Sequence, residues 1–376
     1  MISRGNGTAT LVFDRPSAGP AADHPSVERP FTIVYGAFKA MGDLLNASPV
    51  IASQLNSGHK IKLLLFPVKA LREFADLIDF GPNRGNLEIL NIPASGGLKA
   101  LREFCSVASR LDPDLVWISP HAPRVVASWK IPLLLWFSKK RYWRKARIAG
   151  ASSERFSSLF DVRVPVNRDL PYLEREQLAF SMLSDTQSIS PMRPIAFIPK
   201  IRELRKGPPL YDLLIHPGAS VPSRMWPYQH YVELARLIPS CYRKVAVGLP
   251  QDIEMLRRLL PADAGIEFLT GNLEQAITAI ARSRVVLTMD SGSLHFAKAL
   301  DVPSVALFGK SDPATVISPG GRVLPIYERK FPCQPCGKAG CSQPEAYCIN
   351  SISPQTVADA LLRLLEEPSR PRFLDE

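Results

Sequence analysis

Short apolar runs alternate along the chain with stretches of helical spacing. Phe31-Thr-Ile-Val-Tyr35 is a β-rich run, Gly36 to Asp43 a glycine-bearing turn, and Leu44 to Leu55 a helical pattern. Together they predict a strand, a loop and a helix packed on one sheet. Ile61 to Phe66, Leu87 to Ile92 and Asp114 to Ile118 predict further strands, with helices around Lys69 to Leu77 and Lys99 to Leu111. Lys-Ala-Leu-Arg-Glu-Phe occurs at 69–74 and again at 99–104, but one short echo is no solenoid period.

The proline-rich stretch from Pro191 to Pro209 carries breakers expected of a linker. Beyond it the alternation is clearer. Strands are predicted at 213–215, 244–248, 266–269, 285–289 and 304–308, with helices at 227–237, 252–260, 273–281 and 293–300. Short connections between such elements describe a parallel sheet wrapped by helices. Ligands of such sheets sit beyond the carboxyl ends of the strands, so the loops after Ile215, Gly248, Leu269 and Met289 are the places for chemistry.

Length supports two domains, since 376 residues exceed what one core usually serves. The expected division is an extension at 1–30, rich in Gly, Pro, Ala and Ser and read as flexible, a first domain at 31–200 and a second at 201–376. No apolar run approaches the ~20 residues that cross a bilayer, and the first thirty residues lack a secretion-signal pattern, which predicts a cytosolic protein. A net charge of +11 predicts an anionic partner: nucleic acid, a phosphorylated sugar, a nucleotide or an acidic membrane.

The strongest chemical signal is Asp290-Ser-Gly-Ser-Leu-His295, which follows a predicted strand and opens a helix. A glycine there admits close approach, and the free amides and dipole of the helix start favour a diphosphate. Asp290 orients the loop or meets a hydroxyl; His295 reaches a phosphate or a ribose, unless it is a structural histidine behind a cap at Ser291 or Ser293. A second loop, His216-Pro-Gly-Ala-Ser220 followed by Arg224-Met-Trp-Pro227, has the same character. Arg224 offers a forked cation suited to phosphate oxygens, the plainer reading being a solvated surface charge.

These loops, with Leu269-Thr-Gly, His295-x-Ala-x-Ala and Pro303-Ser-Val-Ala-Leu-Phe-Gly309 before Asp312-Pro313, resemble the ADP-heptose:lipopolysaccharide heptosyltransferases, glycosyltransferase family nine. The likeness is strong over residues 210–365 and in the first half touches only its first loop. It implies an α/β fold of two facing Rossmann-like domains, the GT-B arrangement, with an interdomain cleft. It implies inverting transfer without a metal or catalytic cofactor, from a nucleotide sugar such as ADP-heptose onto a phosphorylated or lipid-linked glycan. Carried over by position, Ser220 and Arg224 hold donor phosphates, although lysine is more usual at the latter place. Asp290, Ser291, Gly292 and His295 match the donor loop, and Met289 sits where adenine or ribose is contacted. Lys39-Ala-Met-Gly-Asp43 is similar to the loop whose aspartate is the proposed base, with Lys39 and Ala40 replacing small hydroxyl residues. An acceptor hydroxyl must lose its proton as it attacks, a task for Asp43, unless Asp43 only caps the following helix.

Two further features lie outside the strand-end loops. Cys333, Cys336, Cys341 and Cys348 have spacings that can wrap a structural zinc or iron, or are simply free thiols. Residues 130–147 hold Lys130, Lys139, Lys140, Arg141, Arg144, Lys145 and Arg147 with aromatic neighbours and no acid. This mixture suits an acidic membrane interface, here the inner face of the cytoplasmic membrane, or a phosphorylated acceptor, as well as a solvated helix. Two rival readings remain: a family member using another sugar nucleotide or a protein acceptor, and a non-catalytic nucleic-acid module whose cysteines form a zinc knuckle. Paired diphosphate loops argue against nucleic acid, which needs no such cradle.

Overall fold

The computed structural model describes residues 30–38, 40–65, 69–91, 97–120, 130–152, 157–183, 195–336, 341 and 347–367. The expected extension, apart from Pro30, and Lys39 lie outside the described residues. Phe31 to Glu376 form one compact unit holding two parallel sheets. The first is built from β1 (Thr32–Phe38), α1 (Met41–Asn56), β2 (Lys60–Leu65), α2 (Lys69–Leu77), β3 (Leu87–Asn91), α3 (Gly97–Ala108), β4 (Leu115–Ile118), α4 (Lys130–Arg141), β5 (Arg147–Ala151) and β6 (Val162–Val164). Helices α5 (Tyr172–Ser181) and α6 (Pro199–Lys206) lead to the second half. There β7 (Tyr211–Ile215), α7 (Tyr228–Leu237), β8 (Lys244–Val247), α8 (Pro250–Leu259), β9 (Ile266–Leu269), α9 (Leu273–Ala281), β10 (Ser283–Met289), α10 (Gly292–Ala299), β11 (Ser304–Phe308) and β12 (Val323–Tyr327) alternate, closed by α11 (Tyr347–Asn350) and α12 (Pro354–Glu366).

The strand orders are β3-β2-β1-β4-β5-β6 and β12-β11-β10-β7-β8-β9. Counted within its own half, each is the doubly wound order 3-2-1-4-5-6, whose switch point lies between the first and fourth strands. The pairing of β1 with β4 and of β7 with β10 therefore locates two crevices, one per sheet. Apolar residues fill these strands because both faces of a parallel sheet are covered; β10 has Val285, Val286, Leu287 and Met289 all buried.

Local chemistry fits the backbone to this frame. Pro49 lies inside α1, has no amide hydrogen and leaves the Leu45 carbonyl without its helical donor. The buried Ser48 hydroxyl donates to that carbonyl at 2.7 Å, so α1 continues through the proline. The stretch expected as a linker contains α6 instead. Pro199 opens this helix at its first position, where a proline costs nothing. Ile201 is fully buried, and the buried Arg205 donates to the carbonyls of Ser283 and Asp301 at 3.1 and 3.3 Å. Phe74 of α2, Phe197 and Phe296 of α10 make mutual ring contacts with centroids 5.1 to 6.2 Å apart, packing α10 against the first half.

Candidate active site

Both switch points deliver chemistry to one place. In the first half β1 ends at Phe38 and α1 starts at Met41, which puts Asp43 in the first helical turn, partly exposed. Its neighbour Gly42 is buried against α10: a Cβ built there would lie 2.5 Å from His295 Cδ2. Only a glycine lets the two helices approach so closely. The buried Asn46 amide donates to the Gly42 carbonyl at 2.7 Å and stands 3.4 Å from His295 Nδ1. His295 is thus packed against α1 with 8% exposure, its ring stacked on Tyr172 at 6.4 Å between centroids.

In the second half, Arg224 ends a single 3-10 turn, Pro222–Arg224, after β7. Its guanidinium reaches across the switch point to Asp290 at the end of β10. Arg224 Nη2 is 3.2 Å from Asp290 Oδ2, and Nη1 donates to the Asp290 carbonyl at 3.2 Å. Asp290 is 5% exposed, yet its Oδ2 lacks an aligned hydrogen bond, as does Arg224 Nε. Buried polar atoms in that state cost free energy until a partner arrives. Ser291 occupies the N-cap position of α10, but its hydroxyl bonds to Ser293 at 2.8 Å and Thr288 at 3.2 Å and makes no side-chain cap bond. The helix start therefore keeps amides for an anion.

Ser220 is exposed on the loop after β7. Gly218 on the same loop is buried, and a Cβ there would come within 2.7 Å of Asp252 Oδ2. That carboxylate also accepts from the Tyr228 hydroxyl at 2.9 Å, and burial together with this bond raises the Tyr228 phenol. Met289 differs from expectation. Its side chain is 0% exposed in the core of the second sheet, with the sulfur accepting from Tyr231 at 3.3 Å, so it props the loop from beneath and presents no face to a nucleotide.

Sequence reasoning missed α5, whose first turn enters the site. The Tyr172 hydroxyl is pushed up by burial, then by the charges of Asp290 and Asp43, against Arg224 and Arg175. One phenol thus feels the carboxylate of the first half together with the ion pair of the second. Tyr172 also packs against Leu294, Ala306, Phe308 and Val316 of the second half. Glu176, one turn further on, anchors α5 to the first sheet. It is 0% exposed and accepts from Trp117 Nε1 at 2.8 Å, Ser119 Oγ at 2.7 Å and the Tyr35 hydroxyl. Burial raises its carboxyl, and the bonds from Ser119, Trp117 and Tyr35 pull the other way. The sequence signal was slight: Pro171 before a short run of helix formers.

The basic segment is α4 and the turn after it. Lys139 is committed to an ion pair with Asp161, whose carboxyl burial raises but the Ile148 amide and Lys139 hold down overall. Lys140, Arg141 and Arg144 are exposed, beside Trp136 and Phe137, each 42% exposed. The four clustered cysteines are unbridged; Cys333 and Cys341 are exposed and Cys348 is buried. Burial raises the Cys348 thiol, and Cys341, Cys336 and Cys333 lie near enough to raise it further, against a bond from the Ile349 amide. Among the described residues no three His, Cys, Asp or Glu side chains stand close enough together to hold a metal ion.

Comparison with known proteins places this geometry in context. The model of a family described as glycosyltransferase family 9 (heptosyltransferase) matches residues 129–347. Lipopolysaccharide heptosyltransferase 2 of Salmonella typhimurium is 36% identical over 162 residues, 40% of this chain and 46% of that protein. By sequence, the chain spans about half the length of the curated relatives it matches. Among solved structures, the E. coli heptosyltransferase WaaC with ADP superimposes with a TM-score of 0.62 at 16% identity, over 88% of this chain and 97% of that one. The iron-containing dodecameric glycosyltransferase TibC of enterotoxigenic E. coli gives 0.54 at 13% identity, over 89% and 76%. At such identities the likeness to the two structures is one of fold.

Proposed function

The chain belongs to glycosyltransferase family 9, the heptosyltransferases, and from that premise we propose that it transfers a sugar, heptose from ADP-heptose, onto a lipopolysaccharide core or another surface glycan. Its fold is the two-domain α/β GT-B arrangement seen in solved heptosyltransferases. The observation that carries the proposal is the meeting of Asp43 with the Arg224–Asp290 pair around the Tyr172 phenol. A base and a cationic cradle, supplied by opposite halves, are what displacement at an anomeric carbon needs.

In this reading Asp43 takes the proton of the acceptor hydroxyl as its oxygen attacks the anomeric carbon from the face opposite the diphosphate, which inverts that centre. Arg224 and the first amides of α10 take up the charge that develops on the departing diphosphate, so the residues themselves supply the stabilisation and transfer is metal-independent. Asp290 holds Arg224 in place until the donor arrives. ADP is the nucleotide of choice because the relatives are named heptosyltransferases and WaaC was solved with ADP. Nucleic acid is disfavoured, since a phosphate backbone gains nothing from carboxylates at Asp43 and Asp290.

Saturating ADP is expected to raise the melting temperature; at a hundredfold excess over Kd the stabilisation is about 2.7 kcal/mol. No shift with ADP beside a shift with oligonucleotide would overturn the proposal. Transfer assays with several nucleotide sugars then identify the donor, and acceptors offered free, on protein or on anionic vesicles identify the other substrate. Lys140, Arg141, Arg144 and the exposed Trp136 and Phe137 are read as facing an acidic, lipid-borne acceptor at the cytoplasmic face of the membrane. Equal rates for free and vesicle-borne acceptor would remove that assignment. No helix among the described residues is long and apolar enough to cross a membrane.

The four cysteines are proposed to hold a structural zinc or iron by drawing closer than they stand here, where, among the described residues, no three of them lie near enough together for a metal; a fold relative titled iron-containing supports the reading. Four thiolates suit a closed tetrahedral site, which would tie the Cys333–Cys348 segment to the end of β11. Protein purified under reducing conditions should carry about one equivalent of metal per chain, and much less would end the idea.

A further inference from the structure

Lys298 follows His295 by three residues on α10, so its side chain leans back toward the helix start and the donor cradle. It is half-buried, and its ammonium has one hydrogen-bond acceptor among the described residues, the Val316 carbonyl at 2.5 Å. An ammonium carries three hydrogens, so two are left to donate. Two carboxylates face it: Glu174 from the first turn of α5 and Asp290 from the end of β10. It pairs with neither, because the ion pair of Asp290 goes to Arg224. The remaining charged and titratable groups around this space are Arg224, Arg175, Asp43, His295 and the Tyr172 phenol.

We infer that Lys298 is a second cation of the donor site, donating alongside Arg224 to the diphosphate of the nucleotide. The inference rests on the donor reading above and deepens it. A diphosphate laid over the α10 start meets the fork of Arg224 and the point charge of Lys298, each able to take a different phosphoryl oxygen. Desolvation holds the Lys298 ammonium down to about 8, although Glu174 and Asp290 raise it. Its protonation is therefore a cationic charge of the cradle that mild alkalinity removes, while burial raises the Tyr172 phenol away from this range.

The sign follows from linkage. A bound diphosphate favours the protonated lysine, so affinity is full below about pH 8 and falls above it, toward tenfold per pH unit, until the pKa of the complex is reached. ADP is the probe, titrated calorimetrically against the full chain between about pH 7.5 and 9.5, above the titration of its terminal phosphate. Lys298→Met should bind ADP about tenfold more weakly at about pH 7.5 and lose the alkaline decline. Lys298→Arg should bind normally and also show no decline, because arginine keeps its charge. Equal affinity and an equal pH profile in all three proteins would overturn the role of Lys298 while leaving the donor reading intact. Failure of the unaltered chain to bind ADP would overturn both. Should Lys298→Met fold poorly, a persistent alkaline decline in Lys298→Arg is by itself sufficient to reject the inference.

Discussion

Asp43→Asn is expected to lower turnover by about 10²- to 10⁴-fold while changing ADP affinity less than about twofold. Asparagine keeps the shape of the side chain but cannot accept the acceptor proton. The N-cap position of α1 is Ala40, and Gly42 and Asn46 make the contacts with His295. A single-turnover assay with ADP-sugar in excess, set beside ADP titration, separates the two quantities. Unchanged turnover would remove Asp43 as the base. A parallel collapse of ADP affinity would instead make Asp43 a support for the α1 and α10 contact.

The second large effect falls on a residue that need not touch any substrate. Glu176→Leu is expected to cost at least about 3 kcal/mol of unfolding free energy, because Tyr35, Trp117 and Ser119 lose their common acceptor and each stranded donor costs about 1–3 kcal/mol. Glu176→Gln should cost less, since its amide oxygen still serves the tyrosine and tryptophan. Denaturant unfolding followed by tryptophan fluorescence measures both, and a change under about 1 kcal/mol for the leucine variant would show the cluster to be incidental. The consequence for activity is indirect. Glu176 fixes α5, and α5 carries Tyr172 into the space between Asp43 and Arg224.

Much of this molecule was legible before any coordinates. The ranges 266–269, 273–281 and 304–308 coincide with β9, α9 and β11, because short apolar-rich runs and helical spacing between close turns are local signals. The stretch from 191 to 209 was misread for the same reason in reverse. Its prolines look like breakers in isolation, yet Pro199 at a helix start is favourable and the tertiary contacts of Ile201 and Arg205 decide the matter. Met289 was misplaced because adjacency to a loop in sequence says nothing about which side of the sheet a side chain faces. The alternating strand pattern allows either.

Sequence alone determined a strand, loop and helix opening the first half and a parallel alternation in the second, with two Rossmann-like domains implied by the family resemblance, and that Asp43, Arg224 and Asp290 stand beside strand ends, since periodicity, turn residues and the strand-loop-helix order are properties of consecutive residues. Tertiary structure alone decided that Gly42 and His295 share one contact, that Glu176 and α5 bring Tyr172 between the halves, and that Lys298 looks toward Asp290. Those relations join residues more than a hundred positions apart, or turn on a side chain's direction within one helix. Both are set by how the sheets and helices pack, and no local pattern encodes that packing.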